Sequence, residues 1–119
     1  AFIADDFGLS EDINLAIVRA HAQGALTGAS LMPGQPATAH AVALARQHPT
    51  LEIGWHLHLC DSVPVTGAAW PWSDSPWRAG LRLGATVAHR QRLAEELAAQ
   101  WRLFQATGLR CAFVNSHHH

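Results

Sequence analysis

The chain has 119 residues, enough for one small domain and too few for two. Nearly half of it (49%) is apolar and 14% is charged, which is the composition of a core-forming globular sequence and excludes a disordered one. A formal net charge of -1 gives no electrostatic case for a nucleic acid or an anionic membrane, and the basic residues are all arginine, so no Schiff-base or phosphate-loop lysine lies in this stretch. No apolar run approaches the roughly 18 residues of a membrane span, and no signal peptide is visible, so the expected compartment is the cytoplasm. Ala1 already sits inside a strand-like run, which leaves room for more chain upstream. Cys60 and Cys111 each border an apolar run and read as buried thiols rather than a disulfide.

Taken in order, Ala1 to Ala4 is a short apolar run that predicts a buried strand, with Asp5-Asp6-Phe7-Gly8 as the loop after it. Ser10 can cap a helix from about Glu11 to Gln23, since Ile13, Ala16, Ile17 and Ala20 fall on one face and Gly24 can close it. Leu26 to Met32 predicts a second strand, followed by a loop punctuated by Pro33, Gly34 and Pro36. Ala37 to Gln47 predicts a second helix ended by His48-Pro49, and Leu51 to Leu59 a third strand. Asp61 to Ala85 is long, rich in Pro, Gly, Ser and Trp, and of the length that is usually functional in a compact domain. Its Trp70, Trp72 and Trp77 either pack the loop down or offer a stacking platform for a sugar. Thr86 to Ala106 predicts the clearest helix, with Val87, Leu93, Leu97, Trp101 and Phe104 as its apolar stripe and Arg90, Arg92, Glu95, Glu96 and Arg102 around it; Leu109 to Asn115 is the fourth strand.

Strict alternation of strand and helix predicts an α/β fold of parallel βαβ units, and right-handed crossovers put every strand's C-terminal end on one side of the sheet. That is the side where sites form in barrels and in open sheets. Asp5 and Asp6 follow the first strand, His56 and His58 end the third, and His117, His118 and His119 follow the fourth. Singly each has an ordinary explanation: a solvated turn, a packed polar pair, the remnant of a purification tag. At three strand ends that converge on one rim they predict a metal site instead. Two imidazoles and a carboxylate leave positions open on a divalent ion, which acidifies a bound water and polarises a carbonyl, while a second carboxylate can take the proton.

These residues also carry a resemblance. Ala4-Asp5-Asp6-Phe7-Gly8-Leu9-Ser10, Asn14-Leu15-Ala16-Ile17, Leu26-Thr27-Gly28-Ala29-Ser30-Leu31-Met32, Ile53-Gly54-Trp55-His56-Leu57 and Asn115-Ser116-His117-His118-His119 follow one another as do the motifs of the YdjC-like carbohydrate deacetylases. The likeness covers nearly all of residues 1–119 and places the final histidines inside a family motif. It implies the N-terminal half of an irregular (β/α) barrel with parallel strands, the C-terminal half lying outside this chain. By position it implies Asp6, His56 and His117 as metal ligands, Asp5 as the general base, and His119 near the substrate. His58 stands where many members have another residue. Ile3 replaces a usual Asn, and Asn115 replaces an Asp, which is nearer to the hopanoid-biosynthesis-associated branch.

The implied reaction is hydrolysis of an N-acetyl group on an amino sugar, oligosaccharide or glycosylated lipid. Asp-His-His ligation suits Zn2+ on grounds of ligand softness, whereas the resemblance implies Mg2+. Two rivals stand beside it. His56-Leu57-His58 followed by Asp61 resembles the His-x-His of amidohydrolase and phosphoesterase barrels, although there the motif usually follows the first strand. Alternatively, a half-barrel could bind a metal or a sugar without turning anything over. Unpaired sheet edges would need more chain, or a second copy in a homo-oligomer, to cover them.

Overall fold

The computed structural model describes residues 2–67, 77, 78, 81 and 86–117. Its elements run β1 (Ile3–Phe7), α1 (Glu11–Ala22), β2 (Gly28–Leu31), α2 (Thr38–Gln47), β3 (Glu52–Leu57), α3 (Val87–Ala106) and β4 (Val114–Ser116). The helices start where the sequence offers caps. Ser10 Oγ accepts from the Ile13 amide at 3.2 Å, with Glu11 and Asp12 in the first turn of α1 where the helix dipole favours them. Thr86 Oγ1 accepts from the His89 amide at 3.1 Å at the head of α3.

The four strands form one parallel sheet in the order β1-β2-β3-β4. Sequential order with no reversal is the winding of a barrel, whereas a doubly wound sheet reverses at a switch point. The fold is therefore α/β with every strand's C-terminal end at one rim, as the alternation predicts. Ala4, Ala29, Leu31, Ile53 and Trp55 face the helices and pack with Ile17, Val18, Ala41, Val42, Ala45 and Phe104. Each large aliphatic or aromatic side chain buried there contributes about 1.5–3 kcal/mol.

The opposite face is different in kind. A Cβ on Gly54 would lie 2.2 Å from the Phe113 ring and one on Gly28 would lie 3.2 Å from it. The Phe113 ring thus lies across β2 and β3; at Gly54 only a glycine leaves room for it, and at Gly28 a side chain would crowd it. The chain just before β4 is seated by this ring and by the Trp55 amide donating to the Phe113 carbonyl at 2.9 Å.

Three expectations are corrected. Asp5 and Asp6 are not in a loop after β1 but within it; Asp6 has φ of 64°, and the β1–β2 register shifts between Ala4 and Phe7. That left-handed residue breaks the strand's alternation, which is why two adjacent carboxylates can both serve one rim. The fourth strand is only three residues long. On α3 the buried positions are Glu96, Gln100 and Phe104, while Val87 is exposed. Cys60 and Cys111 are both thiols, the first buried and the second half-buried.

Candidate metal centre

Three strand ends bring three donor groups together. Asp6 lies in β1, His56 is the penultimate residue of β3 and His117 follows β4 directly. Asp6 Oδ1 lies 2.8 Å from His117 Nδ1 and 3.3 Å from His56 Nε2, and the two imidazole nitrogens are 3.4 Å apart. His56 is fully buried, whereas Asp6 and His117 reach the surface in part.

Neighbours fix how these groups are aimed. His56 Nδ1 donates to Asn115 Oδ1 at 2.7 Å, so in the neutral ring Nε2 presents its lone pair to Asp6 and His117. Asp6 Oδ1 is shut off from solvent, and among the described residues it accepts no well-formed hydrogen bond; its near neighbours are the imidazole nitrogens of His117 and His56. A buried carboxylate oxygen facing two imidazole nitrogens, with no well-formed hydrogen bond among the described residues, is costly unless a cation, metal or imidazolium, neutralises it. The donor set, one carboxylate and two imidazoles within 4.8 Å of one another, fits a divalent ion.

Asp5 is placed apart from the triad. Its Oδ1 accepts from Ser30 Oγ at 3.0 Å and from Asn115 Nδ2 at 2.8 Å, and lies 3.8 Å from His56 Nδ1. Roughly half of its side chain stays open to solvent. Asn115 thus bridges Asp5 and His56.

His58 is turned to another task. Its Nε2 donates to the Pro33 carbonyl at 2.9 Å and its Nδ1 meets Ser62 Oγ at 2.8 Å. Burial pushes its pKa down, against the pull of the Pro33 carbonyl and of Glu96. With both nitrogens engaged, it does not join the Asp6 cluster. Beside it, Gln100 accepts from the His58 amide at 3.2 Å and donates to the His58 carbonyl at 2.6 Å. Glu96 accepts from Gln100 and from the amides of Val65 and Thr66 and the Thr66 hydroxyl at 2.8 to 3.0 Å. This polar set ties residues 58–66 to α3.

Of the residues singled out in the sequence, Asp6, His56 and His117 converge, Asp5 lies beside them and His58 points away. Trp70, Trp72 and His119 lie outside the described residues, and Trp77 is exposed. Sequence reasoning missed Ser30 and gave Asn115 no bonding role. For Asn115 the signal was register, since it stands opposite His56; Ser30 stands opposite Gly54, two residues before His56 and so on the same sheet face, but its bond to Asp5 crosses the irregular part of β1 and had no such signal.

A parallel α/β sheet wound in sequential order, with a carboxylate and two imidazoles gathered at its C-terminal rim, defines the class of this protein. The chain belongs to the YdjC-like protein family, whose pattern matches residues 1–119. Among curated relatives, a carbohydrate deacetylase of Brevibacillus brevis is 41% identical over 98% of this chain and 47% of its own length. Carbohydrate deacetylases of Vibrio campbellii and Geobacillus stearothermophilus are each 36% identical, over 99% and 98% of this chain and 48% and 47% of their own. The chain spans about half the length of the curated relatives it matches. A solved protein of Enterococcus faecalis V583, named for cellobiose-phosphate cleavage, superposes with a TM-score of 0.76 at 29% identity, covering 98% of this chain and 47% of that one.

Proposed function

We propose that this chain is the N-terminal half of a metal-dependent carbohydrate deacetylase, which removes an N-acetyl group from an amino sugar, oligosaccharide or glycosylated lipid. The reading rests on one observation above all: Asp6 Oδ1, buried and without a well-formed hydrogen bond among the described residues, faces His56 Nε2 and His117 Nδ1. It is supported by the relatives named carbohydrate deacetylases.

In this reading Asp6, His56 and His117 hold the ion, with Mg2+ the expected metal and Zn2+ the alternative. A divalent ion there would acidify a water and polarise the acetamide carbonyl. Asp5 takes the proton from the attacking water, with Ser30 and Asn115 holding its carboxylate in place. Asn115 keeps His56 in the tautomer that leaves Nε2 open. Water oxygen bonds to the acetyl carbon, the C–N bond breaks, and the amine nitrogen takes up a proton from a donor outside this chain. Acetate and a sugar amine leave. His119 contacts the substrate, and Trp70 and Trp72 stack against the sugar.

The engagement of His58 by Pro33 and Ser62 favours this site over a His56–His58 pair. Bound metal per chain, on the complete protein, tests the choice. His117→Ala loses the metal and His58→Ala keeps it if the reading is right, and acetate release then follows the same pattern. The reverse result would favour the His-x-His hydrolase and remove His117 from the site. Metal binding with no acetate released from any acetylated sugar would leave a binding protein.

A further inference from the structure

Asn14 is fully buried on the sheet side of α1, in a position where an apolar side chain would be the ordinary choice. Its side-chain hydrogen bonds all run to other elements. Its Oδ1 accepts from the Gly8 amide at 2.7 Å, and its Nδ2 donates to the Ala37 carbonyl at 3.0 Å and lies 3.1 Å from His40 Nδ1. One carboxamide therefore joins the exit of β1 to the loop and helix that follow β2.

The exit of β1 needs holding. Asp6 is left-handed at φ of 64° and Gly8 is left-handed at 103°, two unusual residues within three positions. A non-glycine residue at positive φ is costly and persists only where its surroundings over-determine it. Around Gly8 they do: the Leu9 amide donates to the Asp6 carbonyl at 3.1 Å, the Ala37 amide to the Gly8 carbonyl at 3.0 Å and the Met32 amide to the Phe7 carbonyl at 2.8 Å. A Cβ on Gly8 would stand 3.1 Å from the Met32 carbonyl oxygen. Among the described residues the Gly8 amide is satisfied by the Asn14 side chain.

We infer that Asn14 is a positioning residue for the metal centre: by holding Gly8 it sets the left-handed backbone of Asp6 and so the aim of the Asp6 carboxylate at His56 and His117. It touches neither substrate nor metal and acts through the backbone of residues 6–8. The inference rests on the metal reading of the Asp6 cluster.

Cobalt(II) titration of the complete protein tests it, with affinity and the visible ligand-field spectrum as readouts. Asn14→Leu matches the side chain in size and removes both polar ends; should it not fold, Asn14→Ser, whose hydroxyl falls short of Gly8, takes its place. Either is expected to bind cobalt about 10- to 100-fold more weakly than the natural protein, with an altered spectrum. Asn14→Asp keeps an acceptor for the Gly8 amide and is expected to recover most of the affinity even where stability stays low. Phe104→Leu, a core change on α3, lowers stability and leaves affinity unaltered. Natural affinity and spectrum in the folded Leu or Ser variant overturn the positioning role alone. Absence of cobalt binding by the natural protein overturns the metal centre and this inference with it.

Discussion

Asn115 donates from Nδ2 to Asp5 Oδ1 at 2.8 Å, joining side chains 110 positions apart in the chain. The same carboxamide accepts from His56 Nδ1 at 2.7 Å, so one group fixes both the orientation of a carboxylate and the tautomer of an imidazole. Removing it in Asn115→Ala leaves the His56 N–H without its acceptor and Asp5 with Ser30 as its remaining described donor. Metal affinity is expected to fall about 10- to 100-fold. The turnover number should fall more than KM rises, because the sugar's own contacts are left in place. Isothermal titration with Mg2+ and steady-state acetate release check both, and unchanged affinity would remove Asn115 from the site.

Adjacent carboxylates have separate tasks in the proposed reaction, and the separation can be measured. Asp5→Asn keeps the shape and the bond to Ser30 but can take no proton; turnover should fall about 100- to 10,000-fold while metal per chain stays constant. Asp6→Asn loses the charged donor at the centre of the cluster, and metal content should fall with activity. Elemental analysis beside acetate release distinguishes the two variants. Metal lost from Asp5→Asn and kept by Asp6→Asn would exchange the two roles.

How far the sequence carries the site can be seen in these residues. The alternation of strand and helix is enough to place Asp6, His56 and His117 at one rim, since parallel strands with right-handed crossovers allow little else. It does not reveal that Asp6 is left-handed, because the bonds that hold the exit of β1 at Gly8, from Asn14 on the next helix and Ala37 beyond the second strand, leave no mark in periodicity. Polarity misleads on α3. Glu96 looks like a solvent residue beside an apolar stripe, yet it lies eight positions before Phe104 and four before Gln100, on the face that packs inward. Its partners are backbone amides of a loop, and a loop's path is not written in periodicity.

His58 offers a contrast with His56, two positions away. His58→Ala removes the partners of the Pro33 carbonyl and the Ser62 hydroxyl and opens space beneath the loop. A cost of about 1–3 kcal/mol in unfolding free energy is expected, with metal content unchanged. Urea denaturation beside metal analysis checks this. Loss of metal at constant stability would move His58 into the centre.

Glu96 makes the loop's attachment depend on pH. Burial alone would raise its carboxyl pKa, but the Gln100 amide, the N–H groups of Val65 and Thr66 and the Thr66 hydroxyl outweigh burial and hold it below the ordinary carboxylate range. A folded pKa below the unfolded one means that the unfolded chain binds the proton more readily. The stability contributed by Glu96 is therefore fully present above the ordinary carboxylate pKa and is lost as pH falls through the depressed folded value. Glu96→Gln keeps the size but turns an amide donor toward groups that are themselves donors. It should cost about 1–3 kcal/mol at neutral pH, and the gap to the natural protein should narrow as the solution is acidified. Urea denaturation of both proteins over a descending pH series reads that gap directly. A gap that stays constant into acid would mean that the carboxylate's charge is not what holds the loop to α3.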